Sequence, residues 1–201
     1  MNVLFVNCCI RGEASRTLKL CRTGLEEIQA KYPDAVIEEL CLDEEDIRPL
    51  HSDTLGQRHA LETAKQFDAP VFRYARQFAA ADLIVIGASN GLDMAEGLNL
   101  FCADEHFWKV YGDLAQIDNI GCILQGLACP DANVRCRWAE RFHQKEYLEY
   151  EPGPLMNGLR RFTEHADTFV ITCNIDGHFA RAGFSENRVL ETEGSIRTSI
   201  D

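Results

Sequence analysis

Between Asn7 and Thr17 the sequence places two hydroxyls and two guanidiniums in one turn-forming stretch: Asn7, Cys8, Cys9, Ile10, Arg11, Gly12, Glu13, Ala14, Ser15, Arg16, Thr17. A helix that begins near Ser15 presents unpaired N–H groups and a partial positive charge at its start. Ser15 and Thr17 add hydroxyl donors, and Arg11 or Arg16 a guanidinium, so the natural occupant is an anion. Read for structure alone, Ser15 is an N-cap, Thr17 a first-turn residue and the arginines solvated. Missing motifs narrow the anion. The stretch has neither G-x-x-x-x-G-K-[ST] for a nucleoside triphosphate nor G-x-G-x-x-G for a dinucleotide pyrophosphate, which leaves a monophosphate. Glu13 would oppose a phosphate, so it is assigned to the outer side of the turn.

Other residues offer weaker chemistry. The nine cysteines (8, 9, 21, 41, 102, 122, 129, 136, 173) contain no C-x-x-C pair and are odd in number, so reduced thiols are expected and no metal or iron–sulfur site. His106 beside Trp108 and Tyr111 is read as packing or surface rather than a substrate wall. Glu140, His143 and Tyr147 share a helix face by spacing but have no visible partner ligands, and are read as solvated. A low-molecular-weight phosphatase loop would need Cys, five residues, then Arg, whereas six residues separate Cys9 from Arg16 and no Asp-Pro general acid is evident.

These residues need elements to position them. Met1 to Val6 is almost wholly apolar, as in a strand buried on both faces. From Ser15 to Lys31, Leu18, Cys21, Leu25 and Ile28 recur at helical spacing, and Pro33 with Asp34 ends that helix. Val36 to Leu42 makes a second strand. A helical region from Asp53 is divided by Pro70, with Val71, Ala75 and Phe78 on the buried face of its second part. Asp82 to Ala88 is the third strand, and Met94, Leu98 and Phe101 carry the chain into another helix. Ile120 to Leu124 is expected as the fourth strand, Pro130 to Leu148 as helix, then a helix from Pro154 towards Ala166, and Thr168 to Cys173 as the fifth strand. Residues 175–201 show no period and stay unplaced.

Strands alternating with helices imply an α/β fold: a five-stranded parallel sheet, order 2-1-3-4-5, with helices on both faces, forming one flavodoxin-like domain over 1–201. Ligands of such sheets sit beyond the carboxyl ends of the strands, where the winding reverses between strands one and three. That points to Asn7–Thr17 and to the loop from Ala88 to Asp93. The 201 residues suffice for one core burying roughly 70% of the unfolded surface. A formal charge of −12, spread along the chain, argues against nucleic-acid or anionic-membrane partners. Strand-length apolar runs and no signal-peptide pattern give the expectation of a complete cytoplasmic protein without membrane insertion.

Asn7 to Thr17 resembles the phosphate loop of the flavodoxin-like NAD(P)H dehydrogenase (quinone) and azoreductase family, and Ile47 to Ala88 is similar to it at Pro49-Leu50, Arg58, Phe78-Ala79, Ala81-Asp82 and Leu83 to Ile86. The likeness covers about the first 88 residues. It implies bound FMN, reduction by NAD(P)H, electron transfer to quinones, azo compounds or free flavins, and a homodimer. It also implies cofactor contacts at Cys9, Arg11, Ser15, Arg16 and Thr17, at Ser89, Asn90, Gly91 and Leu92 after strand three, and at Gln125 and Gly126 after strand four. The chain departs from the family at Cys9, which stands where serine is usual, at Ser89 to Leu92, which replaces a Pro-aromatic stretch, and after strand four, where the family's glycine pair is not recovered and Gln125 to Cys129 occupies the place by order alone. No catalytic side chain is required, because hydride can pass directly from nicotinamide to flavin. A non-catalytic FMN-binding electron carrier is the alternative, with the phosphatase or an arsenate reductase behind it.

Overall fold

The computed structural model describes residues 1–9, 11–47 and 51–197; Ile10, Pro49, Leu50 and the last positions of the C-terminal segment lie outside the described residues. Strand β1 (Asn2–Asn7) is buried from Val3 onward and pairs in parallel with β2 (Val36–Cys41), Asn2 opposite Val36 and Asn7 opposite Cys41. Helix α1 (Arg16–Lys31) joins them. It begins where Ser15 Oγ accepts from Leu18 N–H at 3.2 Å, and it buries Thr17, Leu18 and Cys21. Helices α2 (Ser52–Thr63) and α3 (Arg73–Ala80) follow, with a 3-10 turn over Pro70–Phe72 between them. That turn corrects the expected buried face: Phe72 and Phe78 point inward, whereas Val71 and Ala75 are exposed. Three residues per turn replace 3.6 at the start, so the pattern read as one helix slips.

Strand β3 (Leu83–Ala88), β4 (Asp167–Thr172) and β5 (Val189–Glu191) complete a parallel five-stranded sheet of order β2-β1-β3-β4-β5, with helices packed around it. The order is the expected one, but two of its strands come from other segments. The expected fourth strand, Ile120 to Leu124, is instead an irregular stretch leading into α6 (Ile123–Leu127). The segment expected to be fifth is β4, and β5 lies in the part of the chain left unplaced.

The chain divides into two compact units, Met1–Ile86 with Phe162–Phe169, and Gly87–Arg161 with Val170–Asp201. In the first, Phe78 meets Phe162 with ring centroids 4.4 Å apart, and Asp82 Oδ2 accepts from Asn2 N–H at 2.8 Å. In the second, α5 (Glu105–Asp118) is capped by Asp104, which accepts from Phe107 N–H, and stopped by Asn119 in the left-handed conformation at φ 53°. It packs on α7 (Ala132–Phe142), with Tyr111 and Trp138 stacked at 5.5 Å. Phe107, Ile123, Phe142 and Ile196 fill out this core. A Cβ on Gly126 would come within 2.1 Å of the Trp138 ring, so α6 lies directly against the indole. The chain continues from α7 through a π-helical stretch, His143–Leu148, to α8 (Pro154–Thr163), and α9 (His178–Arg181) follows β4.

Candidate functional site

The turn between β1 and α1 is built from its own backbone. Gly12 N–H donates to Cys9 O at 3.0 Å, Ala14 N–H to Arg11 O at 3.2 Å and Ser15 N–H to Gly12 O at 2.8 Å. Gly12 sits at φ +49°, a conformation that glycine adopts without a steric penalty. Below it, Asn7 Oδ1 accepts from Cys9 N–H at 3.0 Å while Asn7 Nδ2 donates to Glu39 Oε1 at 2.8 Å. Cys9, Ser15 and Thr17 are buried; Arg11 and Arg16 are exposed. Glu13 is exposed and its carboxylate pairs with Arg22 at 3.2 Å. Burial, reinforced by neighbouring cysteines, pushes the thiols of Cys8 and Cys21 up to about 12, so neither places a thiolate beneath the turn at neutral pH.

The other expected cofactor residues lie in the second unit. Ser89 precedes α4 (Asn90–Ala95) without a side-chain cap, Asn90 Oδ1 is buried without a hydrogen-bond partner, Gly91 is exposed and Leu92 half-buried. Gln125 and Gly126 follow no strand, because residues 120–122 are irregular and α6 begins at Ile123. They sit inside α6, where Gln125 Oε1 accepts from Gly121 N–H at 2.9 Å and Gly126 lies against Trp138. His106 and Tyr111 converge on the buried Glu146: Oε1 lies 2.9 Å from His106 Nε2 and accepts from Tyr111 O–H at 2.8 Å. His143 and Tyr147, expected in solvent, are half-buried and stacked at 5.5 Å.

One cluster escaped sequence reasoning. Asp93 in α4, Asp176 after β4 and His178 at the start of α9 are all buried, and one donor atom of each lies within 4.8 Å of the others. Asn174 Nδ2 donates to Asp93 Oδ1 at 2.5 Å, and Asp176 Oδ1 accepts from His178 N–H at 2.8 Å. His178 Nε2–H donates to the Glu146 carbonyl at 2.7 Å, since a carbonyl can only accept. Asp93 Oδ2, Asp176 Oδ2 and His178 Nδ1 are left buried without hydrogen-bond partners. Burial first, and the Asp176 carboxyl second, push Asp93 far above the ordinary carboxylate range. Tyr150 stacks on His178 with centroids 3.6 Å apart and donates through its hydroxyl to Glu96 Oε2 at 3.0 Å. Glu96 in turn accepts from Gly153 N–H and Met156 N–H at the start of α8. The only local sign of this cluster is Asp-Gly-His at 176–178, whose Asp-Gly pair is too common in turns to stand out.

Residues 1–89 match a family model described as a flavodoxin-like fold, ending one residue beyond the likeness read from the sequence. No curated protein matches the chain. Among the described residues, no helix is long and apolar enough to cross a membrane.

Proposed function

We propose that the chain is an FMN-dependent NAD(P)H oxidoreductase that reduces quinones, azo compounds or free flavins, with the cofactor phosphate at Cys9–Thr17. The observation that supports this reading best is the start of α1. A 16-residue helix opens after the turn that follows the carboxyl end of β1, and exposed guanidiniums stand at Arg11 in that turn and at Arg16 in the helix's first turn. Its dipole and the side chains of Ser15 and Thr17 suit a phosphate rather than a cation. The one acidic residue of the turn, Glu13, is engaged by Arg22.

The donor set fits a monoester phosphate. Ser15 Oγ accepts from Leu18 N–H, which leaves the hydroxyl proton to donate outward, so one side chain serves both the cap and the anion. When bound, the flavin supplies the hydride chemistry; the protein's part is to anchor and orient it. The same reading makes the protein a cytoplasmic homodimer, in keeping with nine free cysteines.

Steady-state oxidation of NADH or NADPH by the FMN-loaded protein, with a quinone as acceptor, tests the activity. Turnover that depends on added FMN is expected. Stable FMN binding with no NAD(P)H oxidation would replace the enzyme with a carrier, and a monomer of 22.7 kDa by light scattering would count against the homodimer.

A further inference from the structure

We propose that Asp93, Asp176 and His178 bind one divalent first-row transition-metal ion. The site is independent of the flavin reading, and all its residues lie in the second unit. Three potential ligand atoms converge in the interior: Asp93 Oδ2, Asp176 Oδ2 and His178 Nδ1, each buried and each without a hydrogen-bond partner. The side chains that carry them are 2%, 3% and 2% exposed. Two carboxyl groups facing one another out of water are costly unless something positive lies between them.

The surroundings orient these atoms as ligands. Each carboxylate has one oxygen fixed by an N–H donor, Asp93 Oδ1 by Asn174 and Asp176 Oδ1 by the His178 backbone, so the second oxygen of each is the one turned to the cluster. The Glu146 carbonyl holds the proton of His178 on Nε2, which directs the lone pair of Nδ1 inward. Nδ1 lies 3.6 Å from Asp176 Oδ2. A tetrahedral ion with nitrogen and oxygen ligands at about 2.0–2.2 Å separates its donors by about 3.4 Å, close to this spacing. Gly177, at φ +74°, sits between the two ligands of the turn, and a Cβ there would meet the Tyr147 ring at 2.9 Å. This turn between Asp176 and His178 therefore calls for glycine at its centre.

The ligand chemistry selects the class of ion. An imidazole with two carboxylates suits Zn2+, Mn2+ or Fe2+; an all-oxygen shell would suit Mg2+ or Ca2+, and thiolates would suit Cu(I). Nine cysteines elsewhere in the chain can take up zinc adventitiously, so Mn2+ is the better first probe.

The test is titration of chelator-treated full-length protein with MnCl2, followed by electron paramagnetic resonance of the free ion, and with ZnCl2 by calorimetry. One Mn2+ per chain is expected, together with a rise in melting temperature on loading. Asp93→Asn can keep the Asn174 contact and donate its new amide to Asp176, so it should fold in the absence of metal at least as stably as wild type. It should lose Mn2+ binding by at least about tenfold and gain no thermal stability from the ion. His178→Gln provides a second variant with the same expected loss. The proposal is overturned if wild type takes up no Mn2+ or Zn2+, in which case the carboxyl groups share a proton instead. Equal uptake by wild type and both variants also overturns it, since the ion then sits elsewhere.

Discussion

Under the proposed function Ser15 holds two roles in one oxygen, cap and phosphate donor, and substitutions separate them. Ser15→Ala removes the bond to Leu18 N–H and should cost about 1 kcal/mol in urea unfolding, the usual loss of an N-cap. If Ser15 also donates to the phosphate as proposed, FMN affinity should fall by about tenfold to a hundredfold. Ser15→Asp keeps an acceptor for the cap but sets a carboxylate against the phosphate. Its stability should stay near wild type while FMN binding is lost and riboflavin binding, which involves no phosphate, is unchanged. A folded Ser15→Asp protein with wild-type FMN affinity would leave Ser15 as a cap alone. The turn and its Ser15 cap were legible in sequence because their signals are local: glycine, hydroxyl and the start of the apolar stripe fall within a few residues. The acidic–imidazole cluster was not, since Asp93 and its partner Asn174 are 81 positions apart and only the path of the chain through α4 and β4 brings them together.

At the level of elements, α6 shows why the second half of the chain was harder to read than the first. Strands β1 and β3 announce themselves as near-continuous apolar runs, and α1 carries both a cap and a helical apolar stripe. Ile120 to Leu124 is also a short apolar run, but such a run does not distinguish a buried strand from a turn of buried helix. Here the helix takes over only at Ile123: residues 120–122 are irregular, and α6 sets Gly126 against the Trp138 ring. Strand β5, three residues long, is below the length at which alternation can be read, and Arg197 near it is tied to Glu191 at 2.9 Å and to Glu186 at 3.2 Å instead. Gly126→Ala should therefore destabilise the second unit by about 1–3 kcal/mol, because a methyl group within 2.1 Å of the indole forces a backbone or ring shift. Chemical denaturation followed by tryptophan fluorescence measures it. Stability equal to wild type would mean that α6 does not rest on Trp138.

For the whole molecule, the stability of the native state should carry a pH signature from His106. Its hydrogen bond to the buried Glu146 raises its pKa above the ordinary imidazole value, and partial burial only opposes that shift. A group whose folded pKa is raised contributes fully below its unfolded value, about 6.5, and the contribution disappears as pH rises through the folded value. Unfolding free energy should thus decline from pH 6 towards pH 8, and His106→Gln should flatten this component of the profile. An unchanged slope in the variant would show that the His106–Glu146 pair is energetically silent. The central claim, that the start of α1 anchors the phosphate of FMN, is tested most directly by quenching of flavin fluorescence as the protein is titrated into FMN and, separately, into riboflavin. Saturable binding of one FMN per chain is expected, with riboflavin weaker by at least about tenfold, the worth of one charged hydrogen bond. Equal affinity for the two flavins, or no saturable binding of FMN, would contradict it.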